Sequence, residues 1–122
     1  MGLPSEHRLK RRSDFQRVYQ QGIRRHSRSF VIRALPIISN PINRSIKTRI
    51  GISISRKVSK KAVVRNRIKR LIRAVFLKLL PRISPNWLII VSVKPEIQEC
   101  KYDHFLQELE ELFIKTGIIY GN

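Results

Sequence analysis

Between residues 15 and 95 the chain contains no Asp or Glu, and the same stretch carries 20 Lys and Arg. A fold built from it must bury a core while keeping those cations at the surface, with no acid in the stretch to pair them. Like charges at that density repel one another in a compact state. The stretch therefore calls for a neutralising polyanion, of which nucleic acid is the commonest. The tail reverses the sign: residues 96–122 hold six acids against Lys101 and Lys115. The formal net charge of +18 thus belongs to a folded region and not to a detachable basic arm. The acidic end is expected to lie away from the polyanion, or against the domain's own cations.

The 122 residues suffice for one domain with a modest core, and 42% hydrophobic residues favour folding over disorder. Cys100 is the sole cysteine, so no intrachain disulfide can form, which fits a reducing cytoplasm. His7, His26 and His104 are scattered, and one cysteine cannot build a zinc site. Each histidine is expected at the surface. No apolar run approaches the roughly 18 residues of a membrane span, and the polar, basic N-terminus is not a secretory signal. A protein nuclease needs clustered carboxylates for metal ions or paired histidines for acid–base work. Before residue 96 the only acids are Glu6 and Asp14. Asp14 falls in the first turn of a helix, where the helix dipole accounts for it. No autonomous catalytic site, metal site or small-molecule substrate is expected.

Residues 1–12 read as a basic, flexible N-terminus and 13–122 as a single RNA-binding α/β domain. Ser13 has the character of an N-cap, with Gln16 at the capping-box position and Gly22 as the stop. The short helix carries Phe15, Val18 and Tyr19 on one side. Residues 23–35 read as extended, with Phe30, Ile32 and Ala34 alternating with Val31, Arg33 and Leu35. Residues 36–47 hold two prolines and two asparagines and read as a surface loop. In 48–55, Ile50, Ile52 and Ile54 point inward, while Arg49, Gly51, Ser53 and Ser55 leave a flat, open outer face. Residues 59–80 form the longest helical pattern, with the apolar stripe Val64, Ile68, Leu71, Ile72, Val75 and Leu79, and Pro81 and Pro85 end it. Residues 87–93 are almost wholly apolar, as in a central, doubly covered strand. A last amphipathic helix spans 102–115, with Glu108, Glu110 and Glu111 toward water. The order α-β-β-(β)-α-β-α predicts an α+β two-layer sandwich, with about four strands and the helices on one face of the sheet.

The segment 56–73, RKVSKKAVVRNRIKRLIR, has nine basic residues in eighteen and no acid. Asn66, Lys69, Arg70 and Arg73 fall opposite the apolar stripe, with Arg65 and Arg67 on its flanks. A merely solvated helix face would mix in glutamates for i, i+4 pairing. This one suits phosphates, which the planar arginine fork binds in a bidentate way. Phe15 and Tyr19 lie one turn apart. Spacing alone favours core packing over the alternative, a stacking surface for single-stranded bases. Arg24, Arg25, Arg28 and Arg33 are near enough in sequence to hold such a strand's phosphates.

Three segments resemble one family. SDFQRVYQQG at 13–22 is similar to the opening helix of the ribonuclease P protein subunit, RIGISISRKV at 49–58 to its central strand and turn, and AVVRNRIKRLIR at 62–73 to its signature helix. Their order and spacing extend the resemblance over residues 8–115. The resemblance implies a ferredoxin-like sandwich, of the kind also seen in a domain of ribosomal protein S5, with a left-handed βαβ crossover where the general rule predicts a right-handed one. It also implies a cytoplasmic ribonucleoprotein in which a catalytic RNA, with Mg2+ held mainly by RNA, removes the 5′ leader of precursor tRNA. The protein binds both the catalytic RNA and the leader. By the same resemblance Lys57, Lys60, Lys61, Arg65, Asn66, Arg67, Lys69, Arg70 and Arg73 contact the RNA subunit, while Phe15, Tyr19, Arg33, Arg49 and Ser53 line the leader cleft. Arg33 stands where some members carry an aromatic, which favours a phosphate contact there. The rival readings are a small basic ribosomal or other structural RNA-binding protein, and an autonomous nuclease.

Overall fold

In chain order the computed structural model has a 3-10 turn (Ser5–His7), helix α1 (Arg12–Gln21), strands β1 (Ile23–His26), β2 (Phe30–Pro36) and β3 (Arg49–Ser53), helix α2 (Ala62–Leu79), a second 3-10 turn (Leu80–Arg82), strand β4 (Trp87–Val93) and helix α3 (Tyr102–Thr116). It describes residues 3–37, 46–97 and 100–119. Most of the 36–47 loop, residues 38–45, lies outside the described residues.

The strands form one sheet in the order β1-β2-β4-β3. β1–β2 and β2–β4 are antiparallel, whereas β3 and β4 are parallel. Parallel neighbours cannot be joined by a tight turn, so α2 serves as the crossover between them. The apolar run at 87–93 becomes the inner strand β4 because both of its faces are covered. Ile89, Val91 and Val93 enter the main core, which also takes Phe30, Ile32 and Ala34 of β2 and Ile50 of β3. Ile68, Ile72, Val75, Phe76 and Leu79 of α2 and Phe105, Leu109, Leu112 and Phe113 of α3 close that core from above. Leu88 and Ile90, of the other parity, join Leu35, Val18 and Leu9 in a smaller second core.

That second core refines the expected layering. Helices α2 and α3 share one face, but α1 lies on the other, because Val18, on the same side of α1 as Phe15, is the apolar group that can cover Leu88 and Ile90. Ser13 is not the cap of α1: the helix begins at Arg12 with Arg11 as N-cap and no capping side chain. Gly22 does end it, in extended backbone (φ −70°, ψ 153°) and not in a left-handed turn. A Cβ there would sit 2.5 Å from the Val18 carbonyl oxygen, so crowding selects glycine. The crossover helix is also shorter than its 59–80 pattern, because Ser59 Oγ accepts the Lys61 amide and holds the chain in a turn up to Lys61.

The N-terminal residues are docked, not free. Leu3 is 2% exposed in the main core and Leu9 is buried in the second. Between them Arg8 bridges to Ile50, and the Leu9 amide donates to the Ile50 carbonyl at 3.0 Å. The flexible segment expected over 1–12 is thus corrected from Leu3 onward: two leucines in a charged stretch suffice to pin it along the edge of β3. The acidic end packs as expected, with Glu110 paired to Arg82. Glu108 departs from its expected solvent position, since its carboxylate accepts the Ser29 amide at 3.1 Å.

Candidate nucleic-acid interface

The register places side chains of like parity in rows across the sheet. On the α1 side, one row runs Arg24, Arg33, Ile90, Gly51, and the next runs His26, Val31, Ser92, Ser53. Helix α1 meets the first row through Phe15 at Gly51 and Tyr19 at Arg33, and leaves Arg24 exposed. The second row stays within reach of solvent: His26 and Ser53 are exposed, Val31 and Ser92 half-buried. Ser92 and Val31 share this row with Ser53, and sequence reasoning did not single them out. Ser92 was legible as the one polar residue in the 87–93 run, and Val31 as a neighbour of Arg33 at period two.

Phe15 and Tyr19 take different roles. The Phe15 ring lies close enough on β3 that a Cβ on Gly51 would meet its Cζ at 2.7 Å, and Gly51 is buried beneath it. The outer face of β3 is therefore not one open strip. Phe15 stands between Arg49 and Ser53, which flank Gly51. Tyr19, one turn on, is 47% exposed, and the Arg33 guanidinium carbon lies over its ring, 4.9 Å from the centroid. Arg49 is directed to a recess beside the N-terminal turn, lined also by Ser5, Glu6, Arg8, Lys10 and Arg11. Its Nε is buried without a hydrogen-bond partner among the described residues. Glu6, the acid of that recess, is taken up by Lys47 at 2.8 Å. The hydrogen bond and charge of Lys47 lower the Glu6 carboxyl below its ordinary value.

The second basic surface is on the opposite layer. Along α2 the exposed positions are Ala62, Val63, Asn66, Arg67, Arg70, Ala74 and Lys78, with Lys69 and Arg73 half-buried beside them. None of these cations enters an ion pair among the described residues. Lys61 is the N-cap, without a capping side chain, and no acid occupies the first turn. Helix-dipole charge at that end is thus uncompensated and adds to Lys57, Lys60 and Lys61. Arg65 is partly committed to the fold, since its guanidinium donates to the Ser59 carbonyl at 2.7 Å. The sheet brings neither Phe15 nor Tyr19 near this ridge, because α1 and α2 cover opposite faces. Residues 54–61 connect the end of the open row at Ser53 to the start of α2.

Among the described residues no group of three or more His, Cys, Asp and Glu could hold a metal ion. His7 is not a surface residue as expected. Its Nδ1 is 2.8 Å from the Thr48 carbonyl oxygen and its ring meets Phe76 edge-on. No helix is long and apolar enough to cross a membrane, among the described residues.

An α+β protein with helices on both faces of its sheet, a cationic ridge along α2 and arginines on the opposite sheet face belongs to the nucleic-acid-binding class. The family model described as Ribonuclease P matches residues 3–117. The Ribonuclease P protein component of Picosynechococcus is 51% identical over 122 residues, with both chains fully covered, and that of Microcystis aeruginosa is 50% identical over 126 residues, again with full coverage of both. Among solved structures, the RNase P protein of Staphylococcus aureus superposes with TM-score 0.77 at 30% identity, over 93% of this chain and 97% of that one. A mutant of it, described as having defective mRNA degradation activity, gives TM-score 0.79 at 29% identity, over 93% and 90%. This chain belongs to the ribonuclease P protein family.

Proposed function

We propose that the chain is the protein subunit of ribonuclease P, binding the catalytic RNA through α2 and the 5′ leader of precursor tRNA through the sheet face beside α1. The observation that carries this reading is the pair of separate basic surfaces. One is a helical ridge whose cations enter no ion pair among the described residues. The other is a sheet face with an exposed tyrosine, neutral small residues and flanking arginines. Two surfaces on opposite layers suit a protein held between two RNAs, whose mutual phosphate repulsion its cations screen. Lys57, Lys60, Lys61, Arg65, Asn66, Arg67, Lys69, Arg70 and Arg73 make the contact with the catalytic RNA. Phe15, Tyr19, Arg33 and Ser53 make the leader contact, joined by Val31 and Ser92, and Arg49 meets the strand beyond Phe15.

In this role the protein does not carry the chemistry. The holoenzyme works in the cytoplasm with Mg2+ held mainly by RNA; among the described residues no group of three or more His, Cys, Asp and Glu could hold the ion. The subunit instead raises substrate affinity by extending the interface past the cleavage site. A precursor tRNA cleavage assay, with and without the family's catalytic RNA, tests the assignment. At low magnesium and low salt the protein should stimulate the RNA and cleave nothing alone. Cleavage of precursor tRNA or mRNA by protein alone would support the autonomous-nuclease reading, and no stimulation would support a ribosomal role. Arg67→Ala with Arg70→Ala should weaken catalytic-RNA binding and lower its salt slope by roughly one for each phosphate no longer neutralised. Phe15→Ala should weaken precursor more than mature tRNA.

A further inference from the structure

The Arg33 side chain has no hydrogen bond or ion pair among the described residues; what it has is the Tyr19 ring, 4.9 Å from its guanidinium carbon. Its neighbour in the sheet is Arg24, the cross-strand partner on β1, exposed and of the same charge. A phosphate passing this edge of the sheet needs only a cation, and Arg24 supplies one. Arg33 differs from Arg24 in being held over an aromatic ring. An unrestrained arginine surrenders rotamer freedom when it is fixed, and a contact with an aromatic face removes part of that cost before any ligand arrives. On its other side in the row, Arg33 is paired with the buried Ile90, and its guanidinium lies against the Tyr19 ring. RNA bases stack on aromatic rings and on guanidinium planes alike.

We infer that Tyr19 and Arg33 act as one composite platform on which a single base of the leader strand stacks, with Arg33 engaging the plane of the base and Arg24 the phosphate beside it. The inference rests on the leader reading given above and replaces the simple phosphate contact expected for Arg33. It also gives Tyr19 a second task, as the residue that positions the guanidinium.

The holoenzyme reconstituted from the catalytic RNA and this protein provides the test, with affinities for precursor and mature tRNA read at several salt concentrations. Arg33→Lys keeps the charge and removes the plane, and Tyr19→Leu removes the ring. Each should lower precursor affinity about tenfold, the size of one base stack, while mature tRNA binds as before. The double variant should lose no more than either single one. The salt dependence of Arg33→Lys should match the unaltered protein. Single abasic nucleotides scanned along the leader, which remove a base and keep its phosphate, should reveal one position whose loss does not add to that of Arg33→Lys. Full affinity in Arg33→Lys with loss only in Arg33→Ala would overturn the platform and leave the leader reading standing. Equal losses for precursor and mature tRNA would overturn the leader reading itself. If Tyr19→Leu fails to fold, by circular dichroism and urea unfolding, the abasic scan on Arg33→Lys decides alone: strict additivity at every position overturns the platform.

Discussion

Gly51 shows how one residue without a side chain sets the shape of a surface. At period two it belongs to the outer face of β3, and its alternation with Ile50 and Ile52 was legible. That Phe15, far earlier in the chain, would lie on it was not, because neither residue's local pattern contains the other. A methyl group at Gly51 would approach two Phe15 ring atoms at 2.7 and 2.8 Å. Gly51→Ala should therefore displace the ring and destabilise the protein by about 1–3 kcal/mol, read as a lower urea midpoint. In the proposed complex it should also weaken precursor binding, while mature tRNA binding stays level. Glu6 offers a second residue-scale check. Lys47 holds its carboxyl below the ordinary value near 4.5. A depressed carboxyl contributes where it is charged, so the pair is complete above that ordinary value and is lost as pH falls through the lowered one. NMR titration should show the Glu6 midpoint return toward 4.5 in Lys47→Ala, and a midpoint that stays low would exclude Lys47 as the cause.

Among the elements, α2 was the most legible, while α1 starts earlier than Ser13 as its cap would imply. The 3.6-residue stripe of α2 runs the length of the helix and survives any error at its ends, and Ile68, Ile72, Val75 and Leu79 are buried as the stripe requires. Its start was misplaced because the pattern was run back to Ser59, which serves the turn before the helix. The helix begins at Lys61, a poor cap with a cationic side chain at the positive end of the dipole. Lys61→Asp should stabilise the fold by about 1 kcal/mol, measured by urea unfolding. The same change should weaken binding to the catalytic RNA, since it turns a cation into an anion on the proposed contact surface. A variant that is more stable and binds RNA equally well would remove the α2 N-terminus from that surface. For α1, Ser13 and Gln16 imitate a capping box. The helix instead starts at Arg12 with Arg11 as its cap, just after Leu9 enters the second core, so the local cap signal is not used.

At the scale of the whole molecule, charge and core are arranged in layers. Two cores sit on the two faces of the sheet, and the cations are left on the outer surface of α2 and on the uncovered part of the α1-side face. The N-terminal segment joins that arrangement through Leu3, which lies in the main core 2% exposed. Leu3→Ala should cost about 2–3 kcal/mol, visible as a fall of several degrees in the thermal midpoint. A change within error would mean that the segment is loosely held after all. By itself the sequence determined the charge layout, the buried stripe of α2, the inner position of the 87–93 strand and, through three spaced motifs, the family. These are properties of local period and composition, which one chain carries in its own order. Tertiary structure alone decided that α1 crosses the opposite face, that Phe15 rests on Gly51, that Arg33 meets Tyr19, and that residues 3–12 are docked. Each of those joins residues distant in sequence across a sheet register, and a register is fixed only when the strands have paired.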